Sequence, residues 1–327
     1  MSRRRVIKRA MADDKRNLGW CIFSLVVIGF AQFCLTSAVR AAEGGISYYL
    51  PGLYGDVAAG LAPDPGHYWF TTNTYYTATP TDPILPGRID REIDGSLYLN
   101  LIRGFWVTDK KILGARYAAS VRIPLLQVSV DADVQTPLGP AMLEFDNFGL
   151  GDIGIIPVSL YWQHGRLNLN LYQTITAPTG DYDVTTLANV SRNHWNFDTV
   201  LAATWLDLEA GFEITAIPGI LVNTQNPTTN YRSGTEFHMD VMVNRIFSTT
   251  FAVGLHGSFY HQLTGDSGTG AVLGSFKGRA SSIGPALIYR PKIAGRQGYL
   301  TLKWLHEFGV ENRFEGNLFT LTAGIKF

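Results

Sequence analysis

The chain has 327 residues, with 27 Lys/Arg against 27 Asp/Glu, 34 Gly, 15 Tyr and 18 Phe, and only 17% of it is charged. Zero net charge conceals an asymmetry: residues 1–41 hold eight basic and two acidic side chains, which leaves 19 basic against 25 acidic beyond them. That remainder excludes the strongly basic footprint of a nucleic-acid-binding protein, and the mean hydropathy is far below that of stacked membrane helices.

In chain order, residues 1–41 read as a secretory signal: basic SRRRVIKRAMADDKR, apolar LGWCIFSLVVIGFAQFCL, then small residues at Val39 and Ala41. An uncleaved anchor is the alternative, since the apolar run approaches the roughly 20 residues a spanning helix needs. Both cysteines, Cys21 and Cys34, lie inside this stretch. A processed chain therefore has no thiol for a disulfide, a metal site or a nucleophile.

Residues 42–66 follow, and Pro51, Gly52, Gly55, Gly60, Pro63, Pro65 and Gly66 argue against a strand or a long helix there. The segment is either a periplasmic lead-in or a plug folded back into a lumen.

From residue 67 to 327 the pattern is alternation. Leu167, Leu169 and Leu171 alternate with Asn168, Asn170 and Tyr172, and Phe237, Met239, Val241 and Val243 alternate with His238, Asp240, Met242 and Asn244. Period two predicts strands with one apolar face. About twelve begin near residues 67, 93, 112, 151, 166, 195, 206, 235, 249, 279, 297 and 316. Short connections (TDKK, QHGR, WLD, IFSTT, PKIAGRQ) alternate with long ones at 79–92, 135–149, 178–194, 217–234 and 265–278. Even strand number with loops sorted by length is the outer-membrane pattern. Aromatic residues near strand ends (Tyr68, Trp69, Trp106, Trp162, Trp195, Trp205, Tyr299, Trp304) fit interfacial girdles. The expected fold is all-β: a transmembrane antiparallel up-and-down barrel with short periplasmic turns and long extracellular loops, its outer face on outer-membrane lipids.

On the last strand, Phe319, Leu321, Ala323, Ile325 and Phe327 share one face and are expected to meet lipid. Pairing this strand with the first removes the edge. The terminal aromatic resembles the signal that such barrels present to the barrel-assembly machinery.

The same alternation points Arg116, Arg122, Tyr172, Glu209, Glu213, Glu236, His238, Asp240, His256, Tyr260 and Lys303 into the lumen. Charges with tyrosines suit a small polar aromatic solute; mutual pairing that fills space is the alternative. With a turn centred on Ser248, Asp240 faces His256 and His238 faces Ser258, which raises a hydrolase reading against a lumenal salt bridge. No metal-ligand spacing, phosphate loop or nucleotide fingerprint appears, so no cofactor is expected.

SYYLPGLYGDVAAGLAPDPGHYW, GLGDIGIIP, APTGDYD and NPTTNYRSGTEFHMD together resemble the meta-pathway phenol-degradation family of outer-membrane β-barrel proteins, from about residue 46 to the end. The resemblance implies a barrel and a role in passive uptake of small aromatic or hydrophobic compounds. A lumenal hydrolase and a structural or adhesive barrel stay open as alternatives.

Overall fold

Strands arise where β-branched and aromatic residues alternate with small or polar ones, because each pleat sends successive side chains to opposite faces. The computed structural model describes residues 43–55, 59–80, 93–136, 139–272 and 274–327; the expected signal, both cysteines and most of the 79–92 loop lie outside these. The strands are β1 (Gly66–Pro80), β2 (Ile93–Ile112), β3 (Ala115–Thr136), β4 (Gly139–Leu150), β5 (Gly154–His164), β6 (Leu167–Thr176) and β7 (Asn196–Asp207). They continue as β8 (Phe212–Asn223), β9 (Glu236–Ile246), β10 (Phe251–Gln262), β11 (Arg279–Tyr289), β12 (Lys292–Ile293), β13 (Arg296–Glu311) and β14 (Phe314–Lys326).

Consecutive strands pair antiparallel, except that β3 pairs with both β4 and β5 and β11 pairs with β13, and β14 returns to β1 through Trp69↔Ile325, Thr72↔Thr322 and Tyr75↔Phe319. β4 and β5 form one bent stave: both pair with β3, β4 along Leu125–Thr136 and β5 along Arg116–Arg122. β12 is a two-residue ribbon on the start of β13. The closed wall therefore has twelve staves. Closure leaves the wall no open edge, the condition lipid imposes.

Inside and outside sort as alternation requires. On β14, Phe319 and Leu321 stand outside while Thr320 and Thr322 are buried inside. At the seam, paired threonine hydroxyls meet at 3.0 Å in Thr72–Thr322 and again in Thr74–Thr320. Trp69 and Trp106, each 52% exposed, sit on the outer face at the short-turn end. Tyr68 does not join the girdle: it turns inward and donates to the Asp64 carbonyl at 2.7 Å.

Three boundaries differ from expectation. Within 135–149, expected as loop, residues 135–136 complete β3 and 139–149 belong to β4. One face of this ribbon packs Val128, Val130 and Ala132 against Ala188 and Val190 of the 177–195 loop, while Asp131, Glu144 and Asp146 on the ribbon read as loop. β8 runs on to Asn223, past Pro218 and Gly219. The β7–β8 ladder has a gap between Val200↔Gly219 and Ala203↔Ala216, which accommodates a residue without an N–H. The β7–β8 turn also falls later than WLD: Asp207 Oδ1 accepts from the backbone N of Glu209 (3.1 Å) and Ala210 (2.9 Å), and Gly211 takes φ +68°. An Asx turn closed by a left-handed glycine stops the strand there.

The long loops lock onto one another. Asp266 takes the phenol of Tyr231, the Gln262 amide at 2.6 Å and the backbone N of Gly234 at 2.9 Å. Asn193 Nδ2 donates to Asn226 (2.9 Å) and Thr228 (2.8 Å), joining the 177–195 and 224–235 loops.

Two outcomes follow. Leu321→Arg places a charge on the lipid face and should cost about 2–4 kcal/mol, read as lost heat-modifiable migration on a gel. Thr322→Arg, on the inner face, should assemble far better, and equal damage would overturn the face assignment. A cysteine at Thr185 should react with an impermeant maleimide on intact cells while one at His164 should not; the reverse result would invert the barrel.

Candidate functional site

The lumen is threaded by the residues before β1. Glu43 starts at the long-loop end, accepting from Asn226 Nδ2 at 3.1 Å and Thr229 Oγ1 at 2.7 Å. Ser47 donates to Glu236 and Tyr49 to Asp240, two inward groups of β9. Lys303 of β13 donates to the carbonyls of Gly52 and Gly55, the latter at 2.9 Å. Gly60 N donates to Thr204 Oγ1 at 3.0 Å. Arg116 holds the Pro63 carbonyl at 2.8 Å near the start of β3. The segment thus descends from the extracellular loops to the periplasmic mouth, where β1 begins.

The glycines that ruled out regular structure are what let it pass. A Cβ on Gly60 would stand 2.5 Å from the Asn168 carbonyl, and Gly52 sits at φ +77°. Backbone approach this close leaves no room for a side chain.

Its tyrosines anchor it. The Tyr48 hydroxyl is shared between Asp152 Oδ2 at 2.7 Å and the His194 carbonyl at 2.8 Å. Burial, then the adjacent Asp152 charge, push the Tyr48 phenol up, so it acts as a neutral donor. Asp152 lies in the bend between β4 and β5, where it also accepts from Ser191 Oγ (2.8 Å), Gly180 N (3.0 Å) and Arg192 N (2.8 Å). One carboxylate therefore ties together the bend, the 177–195 loop and the threaded segment. Burial pushes the His194 imidazole down, consistent with its seat beneath that loop.

A second cluster lies lower. His238 is stacked on Tyr49 at 4.4 Å between ring centres, and its Nε2 meets Asp198 Oδ1 at 3.0 Å. Asp240 also accepts from Tyr54 N at 3.1 Å. Buried charges need such partners, because an unpaired one costs several kcal/mol.

Of the residues expected in the lumen, Tyr172, Glu213, Glu236, His238, Asp240, His256, Tyr260 and Lys303 are buried inside the wall. Arg116 and Arg122 reach the threaded segment, Arg122 lying 5.6 Å from the Tyr54 ring centre. Glu209 is not lumenal: it sits in the β7–β8 Asx turn with its side chain 89% exposed, paired with Arg166 at 2.9 Å. The assumed β9–β10 register is also off by two residues. Asp240 faces Ser258, and His238 faces Tyr260. His256 Nε2 bonds Asn244 at 2.9 Å and Ser258 bonds Ser282 at 2.7 Å, so the cross-strand pairs behind the hydrolase reading are not the ones the structure forms. The turn Phe247–Thr250, closed by Ser248 Oγ, displaces the centre toward β10. Among the described residues no group of three potential ligands is placed to hold a metal ion.

Several participants were missed. Asp198 was readable by the alternation that had placed its neighbours, since Phe197, Thr199 and Leu201 face outward around it. Tyr48, Tyr49 and Tyr54 were not, because an irregular segment has no period.

Between the threaded segment and the inner faces of β2 and β3 lies a cavity of about 230 Å³. Leu97, Leu99, Leu101, Leu126 and Val128 wall one side. Arg103 and Arg122, cross-strand partners, lie along the same two strands.

No curated protein matches the chain in sequence. In structure it is similar to an outer membrane channel from Pseudomonas putida F1, with a TM-score of 0.66 at 14% identity over 85% of this chain and all of the other. A FadL homologue from Pseudomonas aeruginosa gives 0.43 at 10% identity, covering 90% and 99%, and the β domain of the Bordetella autotransporter BrkA gives 0.46 at 10%, covering 81% and 100%. The barrel is that of bacterial outer-membrane proteins. A family model spans residues 72–323, and the chain belongs to that family, described as "Putative MetA-pathway of phenol degradation".

Proposed function

We propose that the barrel lets small aromatic or hydrophobic molecules cross the outer membrane passively, with residues 43–65 as a plug that sets the aperture. The cavity beside the plug carries this reading. Barrels of about eight strands are filled by side chains and those of 16–18 hold open channels. A twelve-stave wall leaves room for one peptide segment, and here that segment leaves an apolar space against β2 and β3.

The plug is held by polar contacts (Lys303 on two carbonyls, Tyr49 on Asp240, Tyr48 on Asp152) and by packing of Tyr49 on Leu221 and Tyr260 and of Tyr54 and Ala59 on the Ile217–Met242 cluster. Water entering the lumen can replace the polar contacts one at a time, whereas the wall is closed by continuous backbone ladders. The wall stays fixed while the plug can shift. Selective passage then needs no moving strand and no energy source.

Deleting residues 43–60 behind an intact signal should raise single-channel conductance in planar bilayers several-fold. Lys303→Met, which strips two carbonyls of their donor, should increase the frequency of open events. Liposomes containing the protein should admit benzyl alcohol faster than protein-free vesicles. A deletion that leaves conductance unchanged, with no liposome flux above background, would overturn the uptake reading in favour of a structural barrel.

A further inference from the structure

At the short-turn end the rim of the barrel is notched where the wall closes. β1 begins at Gly66, opposite Val107, and β14 ends beside it, with Phe327 N donating to the His67 carbonyl at 2.8 Å. The strands on either side run further. β2 continues past Val107 to Ile112 and turns through Leu113 and Gly114 into β3. β13 starts at Arg296, ahead of its first β14 partner at Gly298, and pairs there with β12. Two ribbons therefore flank the ends of β1 and β14, about 14 Å apart at about 4.8 Å per strand spacing.

The flanks carry bases. Lys110, Lys111, Lys292 and Arg296 are all exposed, and among the described residues none is within ion-pair distance of an acid. Arg116, Arg290 and Lys326 add to them, against Asp64, Asp109 and the Phe327 carboxylate, and Lys326 is already bridged to Asp64 at 3.7 Å. The opposite half of the rim is balanced. There Arg166 pairs with Asp207 at 2.7 Å and Glu209 at 2.9 Å, and Arg245 lies on the Ala210 and Gly211 carbonyls.

Apolar side chains stand among these bases. Ile112, Ile293 and Phe327 are exposed, and Arg296 lies 4.8 Å from the Phe327 ring centre. Leu113, at the tip of its ribbon, is 83% exposed. Its φ of 51° and the 76° of Gly114 make the left-handed pair that Asn-Gly serves best. Neither the turn nor water asks for a leucine there. Cations beside apolar tips match the boundary between headgroups and acyl chains, where long basic side chains reach phosphates and aromatic rings sit at headgroup level. We propose that the notch holds anionic phospholipid of the phosphatidylglycerol class. Its phosphates lie between Lys110 and Lys111 on one flank and Lys292 and Arg296 on the other, and its acyl chains run over Trp69, Trp106 and Phe327. A soluble acidic protein accounts for the bases and not for the exposed leucine and tryptophans. The assignment is independent of the uptake reading.

The test uses the full-length protein with Cys21→Ser and Cys34→Ser, carrying bimane on one introduced cysteine and reconstituted in phosphatidylcholine bilayers. Gln297→Cys reports on the notch and Thr249→Cys on the opposite rim. Brominated phosphatidylglycerol should quench the Gln297→Cys label at least about threefold more effectively than brominated phosphatidylcholine, with no such preference at Thr249→Cys. Salt near about 1 M, which cuts the Debye length to about 3 Å, should remove most of that preference. Lys110→Gln, Lys111→Gln, Lys292→Gln and Arg296→Gln together should bring the two lipids to parity. Lys110→Arg, Lys111→Arg, Lys292→Arg and Arg296→Lys should keep the preference, which separates lost charge from lost folding. A label on Leu113→Cys should be quenched by either brominated lipid. No preference at Gln297→Cys, an equal preference at Thr249→Cys, or a preference that survives the Gln set in a barrel of unchanged heat-modifiable migration would each overturn the proposal. So would a Leu113→Cys label reached by aqueous iodide and not by lipid.

Discussion

The ladder between β1 and β14 is the contact on which everything else depends. Thirteen residue pairs, from Tyr68↔Lys326 to Pro80↔Phe314, join the two ends of the barrel chain. Lipid offers no hydrogen bonds, so an unpaired edge at membrane depth would cost several kcal/mol per group. Closure removes that cost and at the same time fixes the circumference. Once twelve staves close, the interior is wider than facing side chains fill, and something else has to occupy it. The segment ahead of β1 is the chain's own answer, and its glycines, prolines and tyrosines make sense only inside that circumference.

An occupied lumen raises an electrostatic problem. The wall contributes Asp198, Glu213, Glu236, Asp240, Lys303 and Glu307 to a space with restricted water. Tyrosine solves much of it: Tyr48, Tyr49 and Tyr76 each bring a neutral donor to a carboxylate. A phenol needs little desolvation compared with an ammonium, so the pairing costs less than a buried salt bridge. Where arginine appears it often stacks on a ring, as Arg103 does 4.6 Å from Phe70 and Arg313 does 3.9 Å from Tyr260. A planar cation over an aromatic face gains the attraction of the ring's quadrupole.

Much of this was legible because a membrane wall forces period two onto its sequence. Every barrel stave could be located, and the face of residues such as Leu321 and Thr322 followed from parity alone. Parity also accounts for the failures. It says nothing about where a turn closes, so one Asx turn at Asp207 carried Glu209 out to solvent, and the turn at Phe247–Thr250 shifted the β9–β10 register by two residues. A slip of two preserves the face, which is why His238 and Asp240 are still inside although their partners are not the expected ones. β4 was hidden because Glu144, Asp146 and Asn147 break up its apolar residues in a stretch that opens on Gly-Pro and ends on Gly-Leu. Within the threaded segment there is no period at all. Its position is set by individual contacts that only three dimensions reveal.

The site and the plug are not separate parts. Tyr48, Leu50 and Tyr54 line the same cavity as the β2 and β3 leucines, so any molecule held there touches both the wall and the threaded segment. If the segment shifts as proposed, a ligand that binds differently when Tyr54 has moved must, by linkage, shift the balance between its two positions. Arg122 stands at that junction, on the wall at its Cα and on Tyr54 at its guanidinium.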